Sequence, residues 1–86
     1  MTVRVRKFTY QHRSLEVRAA ALPLGWSVRL FEGNRQISPL QYDVSYPTES
    51  DARAQQFSDD IVGDLMELMQ NETEKGWLRI MPPTSN

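Results

Sequence analysis

The stretch ESDARAQQFSDDIVGDLMELMQNETE, residues 49–74, decides how this 86-residue chain is read. Ala54, Phe57, Ile61, Leu65 and Leu68 recur in it at steps of three and four, the spacing that lines up apolar side chains on one stripe of an α-helix. A single helix from Glu49 to Glu74 is the direct reading. Thr48 or Ser50 supplies a hydroxyl to cap its first amides, and Glu49 and Asp51 suit the positive end of its dipole. Lys75-Gly76 gives a basic last turn and a left-handed stop. Projection at about 100° per residue adds Val62, Met66 and Met69 beside the central stripe and gathers Asp60, Asp64, Glu67 and Asn71 opposite. The apolar side then covers roughly half the circumference, more than packing on a sheet requires. The surplus is assigned to the following Trp77 segment or to a subunit interface.

Upstream of this helix the period changes from 3.6 to 2. Val3 and Val5 alternate with Arg4 and Arg6, as in a strand with one covered and one charged face. Phe8 and Tyr10 then fall on the parity of the arginines, so either a bulge lies near Lys7 or both faces are partly covered. QHRS reads as a turn, and Leu15, Val17, Ala19 and Ala21 alternate with charged neighbours in a second strand. LPLG separates it from a third, in which Trp26, Val28 and Leu30 share a face. EGNR supplies turn residues, and Leu40, Tyr42, Val44 and Tyr46 form a fourth strand, with Pro39 at its start and Pro47 ending it. Short connections favour an antiparallel meander.

The expected fold is therefore α+β: a two-layer arrangement of a three- or four-stranded antiparallel meander under one long C-terminal helix. Residues 1–80 are expected to form one sheet–helix domain, since a chain of this size supports one small core, and residues 81–86 a flexible tail. Trp77, Leu78 and Ile80 are expected to fold back on the helix end or a strand edge.

Composition narrows the functions. Apolar residues make up 40% and charged residues 24% of the chain, too apolar a mixture for a wholly disordered protein. Cysteine is absent, which excludes disulfides, thiolate catalysis and cysteine-ligated metals. No apolar run approaches the roughly 20 residues that cross a bilayer, and the alternating start lacks the order of a signal peptide, so a cytoplasmic protein with no membrane partner is expected. The net charge of -1 hides a division: residues 1–35 carry seven basic and two acidic side chains, residues 36–86 three and nine. The two regions are thus +5 and -6, suited to attract each other within or between chains.

Chemically assertive motifs are scarce. His12 is the only histidine, and it falls in a turn with no activated nucleophile to serve. Asp59, Asp60, Asp64 and Glu67 resemble a solvated helix face more than a magnesium site, because no phosphate-binding loop accompanies them. Neither a catalytic residue, a metal nor a cofactor is expected.

The expected function is a non-catalytic protein-interaction module that self-associates or binds another protein. Met66, Met69, Trp77, Phe8 and Tyr10 are the candidate contact residues. The alternative is nucleic-acid binding through the basic strands, with Arg4, Arg6, Lys7, Arg13, Arg18 and Arg29 on phosphates and Phe8 or Tyr10 stacking on bases.

Overall fold

Alternation in the first 32 residues becomes three strands: β1 (Val3–Tyr10), β2 (Arg13–Ala21) and β3 (Gly25–Glu32). The computed structural model describes residues 2–83, and within it these strands pair consecutively and antiparallel. A fourth lane runs along the far side of β3 in two pieces, β4 (Arg35–Gln36) and β5 (Tyr42–Ser45). The interruption falls at Ile37–Gln41, where Pro39 cannot donate to a ladder. The sheet is thus four antiparallel lanes, with β1 as one unpaired edge.

β1 contains no bulge. Its register with β2 is continuous from Val3 opposite Ala20 to Tyr10 opposite Arg13. The hairpin closes through Gln11 and His12, both at positive φ (50° and 66°), as a mirror-image two-residue turn requires to match strand twist. Continuous register gives the parity one solution. Phe8 lies opposite Leu15 and Arg6 opposite Val17, so the aromatics carry Arg4 and Arg6 to the helix-covered face, and Val3 and Val5 point away from it.

The single helix expected over residues 49–74 is instead two helices, α1 (Tyr46–Ala54) and α2 (Ile61–Glu74). The cause is local capping. Gln56 adopts φ 56°, the Phe57 amide donates to the Ala52 carbonyl at 2.8 Å, and the Gln56 amide donates to that of Arg53 at 3.1 Å. This is the bond pair that ends a helix through a left-handed residue, here glutamine rather than glycine. Asp60 then starts α2 by accepting from the Gly63 amide at 3.1 Å. The first helix also begins earlier than Thr48: Ser45 is its cap, accepting from the Thr48 amide, and Pro47 sits in the first turn where its missing N–H costs nothing.

The break predicts a change of sign. In a continuous helix Gln56→Gly would cost about 1 kcal/mol. At a left-handed helix stop it is expected to stabilise by roughly 1 kcal/mol, because glycine adopts positive φ without the Cβ penalty. Chemical denaturation of the two proteins reads the sign directly.

α2 lays Val62, Met66, Met69 and Thr73 on the sheet, where they join Leu15, Val17, Ala19, Val28, Leu30, Ile37, Val44 and Leu78 in one core. This stripe is displaced by one residue from the expected one. Leu68 is exposed, Phe57 and Ala54 stand in or beside the linker, and Ile61 and Leu65 flank the contact. Full burial of aliphatic and Met side chains of this kind contributes about 1.5–3 kcal/mol each. No helix among the described residues is long and apolar enough to cross a membrane.

The C-terminal segment closes the sheet's broken lane. Leu78 is buried, the Met81 amide donates to the Ile37 carbonyl at 2.7 Å, and the Met81 and Pro82 carbonyls accept from Arg13 and Arg35. Residues 84–86 of the expected 81–86 tail lie outside the described residues.

Candidate interaction surface

α2 covers one face of the sheet and leaves the other open. The strand register assigns side chains to that open face: Val3, Val5 and Lys7 from β1, Glu16, Arg18 and Ala20 from β2, Ser27, Arg29 and Phe31 from β3. All of these except Lys7, together with Leu22, line a trough of about 480 Å³. Val3 and Val5 remain 49% and 48% exposed in it, an apolar floor open to solvent.

Two arginines set the electrostatics of this trough. Arg18 and Arg29 are direct cross-strand neighbours, an arrangement in which like charges repel. Arg18 is satisfied internally: its Nε donates to Glu16 at 3.0 Å, its Nη2 donates to the Gly33 carbonyl at 2.6 Å, and its guanidinium lies 4.3 Å from the centre of the Phe31 ring. Arg29 differs. Its Nε donates to the Ser27 hydroxyl at 3.1 Å, and among the described residues no carboxylate meets its two terminal nitrogens. The hydroxyl holds one edge of the fork and leaves the outer N–H groups without a carboxylate among the described residues.

The six basic candidates divide between the two faces. Arg4 makes a two-pronged pair with Asp60, both contacts 2.8 Å, beneath the start of α2. Arg6 donates to Gln70 of α2, and Arg13 is held by Glu32 at 2.9 and 3.0 Å. Only Lys7, Arg18 and Arg29 share the open face.

The candidate contact residues divide too. Met66 and Met69 are core residues, 4% and 0% exposed, and Phe8 and Tyr10 pack half-buried against that core. Trp77 is 72% exposed, with the Lys75 ammonium 4.7 Å from its ring. The open trough was missed because its signal is cross-strand: Val3, Ala20 and Phe31 are seen to line one trough only once the register is known.

Asp60 and Tyr42 serve the scaffold. Hydrogen bonding to Arg4, and then to the Gly63 amide, pulls the Asp60 carboxyl down to about 2. Burial, followed by its hydrogen bond to Glu72, pushes the Tyr42 phenol up to about 12, so it stays protonated. His12 is exposed in the β1–β2 turn, and Asp64 is bonded to Ser58. Among the described residues no three His, Cys, Asp or Glu side chains gather to hold a metal ion.

The depressed Asp60 value carries a pH prediction. A carboxyl lowered by folding stabilises fully above its unfolded pKa of about 3.9 and loses that contribution as pH falls towards 2. The pair is half-exposed, so solvent keeps the effect below about 1 kcal/mol. Asp60→Asn is expected to flatten the pH dependence of the urea midpoint between pH 4 and 2 (about one unit either side of 3) without changing the slope above pH 5.

Comparison with protein-family models, with curated proteins and with solved structures finds no match.

Proposed function

We propose that the chain is a non-catalytic interaction module that associates with a second copy of itself through the open face of its sheet. The observation that carries this reading is the trough, in which half-exposed Val3 and Val5 adjoin an arginine fork without a carboxylate. Apolar area of this kind beside a pre-oriented charge is what a protein contact buries. The division of charge along the chain adds a second attraction between copies.

Sedimentation equilibrium over a wide concentration range tests it. The expected result is a mass above 10.0 kDa that rises with protein concentration and falls with added salt. Val5→Glu, which places a carboxylate on the trough floor at a position already half-exposed, is expected to hold the chain monomeric with unchanged stability. A wild-type chain that stays monomeric at every concentration removes this reading. The nucleic-acid alternative rests on Lys7, Arg18 and Arg29, the three basic candidates on the open face, and requires salt-sensitive binding of DNA or RNA.

A further inference from the structure

The helical layer carries a feature that matches the trough. The linker between α1 and α2 presents Phe57 at 82% exposure, the most exposed aromatic ring among the described residues. Two residues on, Asp59 is exposed, and its side chain makes neither a hydrogen bond nor an ion pair among those residues. Its neighbours are already engaged, Asp60 with Arg4 and Asp64 with Ser58. The chain therefore holds an apolar trough with an unmatched cation on one layer and an exposed ring with an unmatched anion on the other.

We infer that the occupant of the trough is the Phe57–Asp59 linker of a second copy, with Phe57 on the Val3 and Val5 floor and the Asp59 carboxylate on the free fork of Arg29. This rests on the self-association reading above and specifies its geometry. Chemical complementarity supports the pairing: a fork that already spends Nε on Ser27 presents its remaining N–H groups to one carboxylate. An aromatic ring set into a pocket beside a charge pair is also the usual anchor of a protein contact.

The placement of the two features fixes the symmetry. The linker runs in the helical layer, where Asp60 meets Arg4 on the covered face, and the trough is on the reverse of the sheet. One copy cannot fill its own trough. With insert and receptor on opposite faces, two copies cannot fill each other's troughs at once, so the contact is heterologous, and assembly runs head to tail into a ring or an open chain rather than a two-fold dimer.

Mixing two defective variants tests this. Phe57→Ser removes the insert at a largely exposed position, and Val5→Glu blocks the receptor. Each alone is expected to sediment as a 10.0 kDa monomer, and an equimolar mixture as a capped heterodimer about twice that mass and no larger. As an independent check, Arg29→Asp and Asp59→Arg are each expected to weaken association roughly tenfold, and the double variant to recover it. Phe57→Ser assembling like wild type, or the mixture remaining monomeric, overturns the head-to-tail contact while self-association stands. A monomeric wild type overturns both.

Discussion

Gly25→Ala is expected to destabilise the protein by about 3 kcal/mol or more. A Cβ at this position would press on the Val44 carbonyl oxygen and lie 2.7 Å from the Ser45 Cα and 2.9 Å from the Val44 carbonyl carbon. All three are backbone atoms, so no rotamer change relieves the clash, and β5 must move away from β3. The damage spreads because β5 does three jobs. It brings Val44 into the core, it supplies Ser45 as the cap of α1, and it leads to Tyr46, whose amide and hydroxyl donate to the Leu24 and Leu22 carbonyls. Urea denaturation and hydrogen exchange of the β5 amides measure the result. A loss under about 1 kcal/mol would show that the lane relaxes around the methyl group.

The second large effect is an asymmetry at Arg13 and Glu32. Arg13 is 9% exposed and makes two contacts with Glu32 plus one with the Met81 carbonyl, whereas Glu32 is 23% exposed and also meets Arg35 at 3.3 Å. Glu32→Ala leaves a buried guanidinium with one neutral acceptor and is expected to cost about 2–3 kcal/mol. Arg13→Met removes the buried charge and keeps an apolar stem, while Glu32 retains Arg35 and solvent, so it is expected to cost less than half as much. Hydrogen bonding to Arg13 lowers the Glu32 carboxyl below its ordinary range. Its contribution is therefore complete above the unfolded pKa of about 4.3 and is lost as pH falls through the folded value. Equal costs, or the reverse order, would show that the pair acts through packing alone.

Strand alternation made the antiparallel sheet legible, because β2 and β3 have one covered face and nearly strict period two. β1 was harder, since helix-side Arg4 and Arg6 are held by hydrogen bonds to Asp60 and Gln70 rather than excluded from that face. Parity with Phe8 and Tyr10 was the usable signal. The helix break escaped because Phe57 falls at a stripe position by spacing alone, and spacing does not register a left-handed glutamine. Asp60 three residues before Gly63 was the visible mark of a second start. Met66 and Met69 looked like surplus surface only because the stripe was centred one residue away. The trough depends on contacts between three strands, which no single segment displays.

The tie between the C-terminal segment and the broken lane bears on synthesis. The Met81 carbonyl receives Arg13 across 68 residues, and that of Pro82 receives Arg35 across 47. Synthesis runs through β1, β2 and β3 before it reaches these carbonyls, so Arg13 and the Ile37 carbonyl gain their last partners only after all three strands exist. Closure of the broken lane therefore cannot precede synthesis of residues 81 and 82, however early the strands themselves are made.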